Sequence, residues 1–209
     1  MDPRSLRVYV LTSTGYVPGR GHADVATAAI AGGASAVQLR APELDDARLC
    51  DLAAGIAARC RAADVLFVLN DRPPVAASIG VGAHVGQDDD PASARRVLGP
   101  DAVLGVSIST PDEAQAAERD GADYLGVTVW ATSTKPEASA RGLDGLRTVV
   151  AVTSLPVVGI GGIHAANAHE VLDAGAAGVC VVSAIGAAPD PERATRELVA
   201  AVRAWEGDR

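Results

Sequence analysis

The chain has 209 residues, 48% of them hydrophobic and only 3% aromatic, and a formal net charge of −8. That length allows one sizeable core, and no Ser-rich, Pro-rich or charge-block linker divides it, so a single domain over 1–209 is expected. The negative charge disfavours nucleic acid and anionic membranes as partners, because both attract a positive face.

Any anionic ligand must therefore be held locally. Cys50, Cys60 and Cys180 show no C-x-x-C spacing and are odd in number. They read as buried free thiols of a reducing cytosol, which makes a cytoplasmic location the expectation. The amino-terminal apolar run is too short for a signal peptide, and no run approaches membrane-spanning length.

In chain order, short apolar and β-branched runs fall at 8–12, 36–39, 65–69, 83–86, 102–107, 124–130, 155–160 and 178–185. Their continuous hydrophobicity suits parallel strands buried on both faces. Ala-rich segments with helical spacing lie between them, clearest at 44–63 and 111–121, and a last one at 191–206 closes the chain. Asp45 or Asp46, Pro73 and Pro74, Asp89 to Pro91, Thr110-Pro111 and Asp190-Pro191 read as helix starts. AGGAS at 31–35, RDGAD at 119–123 and DAGAAG at 173–178 supply a glycine near a left-handed helix end, each followed by a strand. Eight βα units in this length predict an α/β protein built as a (β/α)8 barrel, with a doubly wound open sheet as the alternative.

In such barrels the chemistry sits at the carboxyl ends of the strands. Those ends are polar here: Gln38 to Arg40, Asn70-Asp71, Gly86 to Asp89, Ser107, Thr132 to Lys135, Gly161-Gly162 and Ser183. The opposite ends are mainly Ala, Gly and Leu. Asp71 and Asp89 could share one hard cation, since Mg²⁺ is commonly held by one or two carboxylates plus phosphate and water. Spacing alone supports the plainer reading at least as well: Asp71 capping a helix that begins at Pro73, and Asp89 capping the next. Arg40 and Lys135 place positive charge on opposite sides of the mouth, suited to an anion spanning it.

The stretch VVGIGGIHAAN at 157–167 begins like a dinucleotide fingerprint, but the sixth position of G-x-G-x-x-G is His164. Loops after strands 7 and 8 of a (β/α)8 barrel frequently bind phosphate. The expectation is a monophosphate cup made by N–H groups around Gly162, Val182 and Ser183, with a helix beginning near His164 or Ala165 aimed at it. The alternative is that the glycines serve only tight packing at the rim.

QLR, LNDR, HVGQDD, LGVS, T-S-T-K and VGIGGI, in this order and at these strand ends, resemble the thiamine phosphate synthase family over nearly the whole chain. The resemblance implies a transferase that joins hydroxymethylpyrimidine diphosphate to hydroxyethylthiazole phosphate with release of pyrophosphate. It implies Mg²⁺ on Asp71 and Asp89, with Gln38, Arg40, Asn70, Ser107 and Lys135 around the diphosphate substrate. By the same resemblance Arg40, Ser107 and Lys135 would take the catalytic roles. Thr132, Thr134 and Gly162, with the amides of Val182 and Ser183, would hold the thiazole phosphate.

Two departures stand out. The family's Q-x-R-x-K motif has its lysine where this chain has Pro42, and the histidine two positions after the strand-5 serine is replaced by Ser109. The same histidine region bears on the related thiazole tautomerases, which lack the G-Q-x-D motif present here. The partners implied are two small molecules, and self-association is left open. A phosphosugar isomerase or epimerase would use the same phosphate cup with a general acid and base. A binding protein without turnover would follow if the missing lysine abolished activity.

Overall fold

Within each apolar run successive side chains point to opposite faces, and both faces find apolar cover, which is what a buried parallel strand requires. In a computed structural model that describes residues 1–131 and 140–207, the runs form β1 (Val8–Thr12), β2 (Ala36–Leu39), β3 (Leu66–Asn70), β4 (Gly82–Val85), β5 (Leu104–Ile108), β6 (Tyr124–Thr128), β7 (Val157–Ile160) and β8 (Gly178–Val181). Each strand pairs in parallel with the next. β8 returns to β1 through Val8↔Val179 and Val10↔Val181, closing the barrel. That closure settles the architecture as a (β/α)8 barrel and removes the open sheet.

The outer layer comprises α1 (His22–Ala31), α2 (Asp46–Ala62), α3 (Pro73–Ser78), α4 (Pro91–Leu98), α5 (Pro111–Arg119), α6 (Gly142–Val150), α7 (Ala168–Asp173), α8 (Ser183–Gly186) and α9 (Pro191–Gly207). Val8 and Val10 face this layer and join a large Ala, Val, Leu and Ile core. Tyr9 and Leu11, the alternate residues of β1, turn into the barrel with Ala36, Tyr124, Val158 and Cys180. Gly105 is required there, because a Cβ on it would meet the Tyr124 ring at 2.1 Å and His84 Nδ1 at 2.4 Å. Of the helices in the described residues, none is long and apolar enough to cross a membrane.

The punctuation read from the sequence governs these elements, with informative exceptions. Gly33, Gly121 and Gly175 take positive φ between helix and strand, as expected. Thr110 and Glu113 form a capping box on α5. The cap reading of Asp71 and Asp89 is overturned. Arg72 occupies the cap position of α3 with no side-chain cap bond, and the α4 cap is Asp90, which accepts from Ser93 N at 3.2 Å.

The run at 178–185 also divides. Its strand ends at Val181, and Ser183 opens α8. The helix expected at His164 or Ala165 starts instead at Ala168. Asn167 explains the delay: its side chain accepts from His164 N at 2.8 Å and donates to Gly162 O at 3.0 Å, holding 162–167 as a turn.

Candidate active site

The carboxyl ends of the strands surround a cavity of about 550 Å³. Gln38, Arg40, Asn70, Asp71, Asp89, Ser107 and Val182 all line it, so the barrel brings together residues that the sequence scatters over more than 140 positions. Gly162 and Ser183 lie outside that lining. Thr132, Thr134 and Lys135 fall outside the described residues.

Asp71 owes its place to an unusual backbone. Both Asp71 and Arg72 have positive φ, 56° and 48°, a region that non-glycine residues enter at a cost and that recurs at functional sites. The Asp71 amide donates to His84 O at 2.7 Å, and its Oδ2 accepts from Asn70 Nδ2 at 2.6 Å. Asp89 Oδ2 accepts from Gly86 N at 2.7 Å, folding the carboxylate back over the end of β4. Both carboxylates thus border the cavity without serving a helix. Among the described residues no group of three or more His, Cys, Asp or Glu gathers as a metal cluster. Two carboxylates bordering one cavity are oxygen donors of the kind a hard cation takes, its remaining positions filled by other oxygens.

Arg40 follows β2, and its amide donates to Thr12 Oγ1 at 3.4 Å. Thr12 in turn bonds His22 Nδ1 at 2.9 Å, and His22 Nε2 meets Glu43 Oε1 at 2.9 Å. Glu43 is held below the usual carboxylate range, chiefly by His22 and to a lesser extent by Arg40. Arg72 is engaged elsewhere, on Leu44 O and Asp46. Arg141 does line the cavity, and its buried Nε has no partner among the described residues. Ser109, where the family pattern has histidine, donates to Gln87 Oε1, and Gln87 is braced by Glu113.

Gly161 and Gly162 adopt φ of 94° and 65°, and a Cβ on Gly161 would lie 2.4 Å from Trp130 O, so close packing is part of their role. Among the described residues, the amides of Gly161, Gly162 and Ser183 donate to no protein acceptor.

Sequence patterning missed the polar interior beneath the mouth. Gln38 Nε2 donates to Tyr9 OH at 2.6 Å, Tyr9 OH meets Tyr124 OH at 2.8 Å, Tyr124 OH meets His84 Nδ1 at 2.9 Å, and His84 Nε2 meets Ser107 Oγ at 2.9 Å. The only early signals were the paired glycines of LGVS and LGVT, which make room for His84 and Tyr124. Burial holds both phenols well above their usual range. Burial likewise raises the Cys180 thiol well above the ordinary thiol range, so this cavity-lining sulfur is no ready nucleophile.

A closed eight-stranded barrel with arginines and carboxylates lining a cavity at the carboxyl ends of its strands has the form of a (β/α)8 enzyme. Known proteins narrow this further. The family model described as thiamine monophosphate synthase matches residues 8–185. A thiamine-phosphate synthase of Moorella thermoacetica is 46% identical over 195 residues, 91% of this chain and 93% of that protein. One from Natronomonas pharaonis is 48% identical over 201 residues, 93% of this chain and 94% of that protein. The structure of a thiamine phosphate pyrophosphorylase from Pyrococcus furiosus superposes with a TM-score of 0.89 at 34% identity, covering 97% of this chain and 98% of that one. The chain belongs to the thiamine monophosphate synthase family and is a transferase.

Proposed function

We propose that this chain condenses hydroxymethylpyrimidine diphosphate with hydroxyethylthiazole phosphate, giving thiamine phosphate and pyrophosphate. The observation that carries this reading is the convergence of Arg40, Asn70, Asp71, Asp89 and Ser107 on one cavity, with both carboxylates relieved of capping. Asp71 and Asp89 would hold Mg²⁺. Bound there, the ion would stabilise negative charge on the departing diphosphate. Arg40, Ser107 and Lys135 would receive the same charge by charge-assisted hydrogen bonds.

The pyrimidine methylene C–O bond breaks with its electron pair leaving on pyrophosphate. The electron-rich aminopyrimidine carries the resulting cation, and the thiazole nitrogen lone pair closes the new C–N bond. No protein nucleophile is needed, in keeping with the raised thiol of Cys180. The chain's task is to position two substrates and exclude water. The amides of Gly162 and Ser183, together with Thr132, Thr134 and Val182, would seat the thiazole phosphate.

The test is to incubate the protein with both precursors, with and without Mg²⁺, and to follow pyrophosphate and thiamine phosphate. Equimolar release that requires both precursors and the ion is expected. Pyrophosphate formed equally without the thiazole, or no product under any condition, would overturn the reading.

A further inference from the structure

The hydrogen-bond chain inside the barrel takes its direction from the Gln38 amide, which turns Nε2 toward Tyr9. An amide –NH2 only donates, so Tyr9 O must accept from Gln38 Nε2, and the one phenolic hydrogen of Tyr9 goes to Tyr124 O. The single hydrogen of Tyr124 then goes to His84 Nδ1, which must be bare. A neutral imidazole with bare Nδ1 carries its hydrogen on Nε2 and donates it to Ser107 Oγ. Ser107 keeps its own hydrogen for another acceptor. At the opposite end Gln38 Oε1 is buried, with no partner among the described residues, while its side chain lines the cavity.

We propose that Tyr9, Tyr124 and His84 are positioning residues that form a one-way relay, fixing Gln38 as a carbonyl acceptor and Ser107 as a hydroxyl donor toward the cavity. Tyr124 makes the case most clearly. It does not line the cavity and acts only through its neighbours. Without its hydroxyl, the Tyr9 hydrogen loses its acceptor and turns to Gln38, whose amide then reverses and shows –NH2 to the ligand. The relay therefore selects a ligand edge that donates to Gln38 and rejects one that accepts. This rests on the proposed pyrimidine substrate, whose 4-amino group is such a donor and whose 4-oxo analogue presents the opposite polarity.

The test has two arms. ¹⁵N NMR of the wild-type imidazoles at pH 8, above the ordinary histidine range, should show His84 with hydrogen on Nε2 and a bare Nδ1. A bare Nε2 would mean that the chain runs the other way and would overturn the proposal whether or not the protein is a synthase. In the second arm, dissociation constants are measured for unreactive 4-amino and 4-oxo pyrimidine methyl monophosphates. Wild type should prefer the amino form by roughly tenfold to a hundredfold, the usual scale for a buried hydrogen bond left unmet. Tyr124→Phe should bring that ratio near unity, and Tyr9→Phe serves in its place should Tyr124→Phe fail to fold. An unchanged ratio in a folded variant would overturn the relay, whereas a merely structural tyrosine would lower Tm and leave the ratio alone. Failure of wild type to bind either analogue would defeat the substrate assignment, and the tautomer spectrum would still decide the relay.

Discussion

At the scale of single residues, Asp71 and Asp89 border the cavity without capping a helix. Exchanging either for Asn removes the charge and one acceptor oxygen while preserving shape and a remaining carbonyl acceptor. Asp71→Asn and Asp89→Asn are expected to lower turnover by roughly a hundredfold or more, given the several kcal/mol a metal ion supplies, with unfolding curves near wild type. Near-normal activity of both in saturating Mg²⁺ would remove the metal assignment. Gly162 allows a parallel argument on the other substrate. At φ of 65°, Gly162→Ala costs backbone energy and brings a methyl to 3.1 Å from Trp130 Cβ. It should raise KM for the thiazole phosphate several-fold more than KM for the diphosphate, and steady-state kinetics with each substrate varied would show equal effects if the cup lies elsewhere. These positions were legible because polar residues interrupt apolar runs at one end. Tyr9, His84 and Tyr124 were not, since each sits inside a run that reads as ordinary strand and finds its partner on strands up to 115 residues away.

At the scale of elements, the three consecutive aspartates before α4 show why spacing could not assign the cap. Asp-Pro marks the helix start, but only backbone geometry decides which side chain reaches Ser93 N. Asp90 does so at 3.2 Å, while Asp89 turns back to Gly86. Asp90→Ala should therefore cost about 1 kcal/mol of stability and leave kcat intact, the reverse of Asp89→Asn, as denaturant melts and assays on both variants would reveal. The β1–β2 corner carries a pH dependence. Glu43 is depressed in the folded chain, chiefly by the His22 hydrogen bond, so the unfolded chain binds its proton more readily. Its contribution is complete above the ordinary glutamate range and is lost as pH falls through the lower folded value. Glu43→Gln should melt below wild type near pH 6, and the two Tm values should converge toward pH 3. A constant gap would point to packing instead. The ends of β8 and α7 escaped the sequence because VVSAI is equally apolar as strand or helix, and because Asn167 delays a helix whose following residues already read as helical.

At the scale of the whole molecule, the eightfold alternation and its left-handed glycine stops were readable, whereas closure depended on the β8–β1 ladder, which no local pattern encodes. The molecule's charge poses the remaining question. A chain of net charge −8 whose proposed substrates are both phosphorylated must concentrate cations at the mouth to bind them. Pro42 brings neither a side-chain donor nor an amide hydrogen to the position where the family pattern has lysine. A lysine–diphosphate contact is worth about 1.5–3 kcal/mol, so its loss alone would cost about one to two decades in rate. Arg40, held at Thr12, remains, and Arg141 is set at the exit of β6 by its amide bond to Thr128 O at 2.9 Å. Its buried Nε, without a partner among the described residues, suits an anion. Arg40 and Arg141 are therefore expected to carry the missing charge. Arg40→Ala should reduce kcat/KM for the diphosphate by at least tenfold, Arg141→Ala should raise its KM, and Pro42→Lys should increase activity or leave it unchanged while softening the Arg40→Ala loss. Steady-state kinetics on the three single variants and the Arg40→Ala/Pro42→Lys pair decide the matter. If Arg40→Ala keeps most of the wild-type activity, charge compensation at this mouth is wrong and the diphosphate is held by other groups.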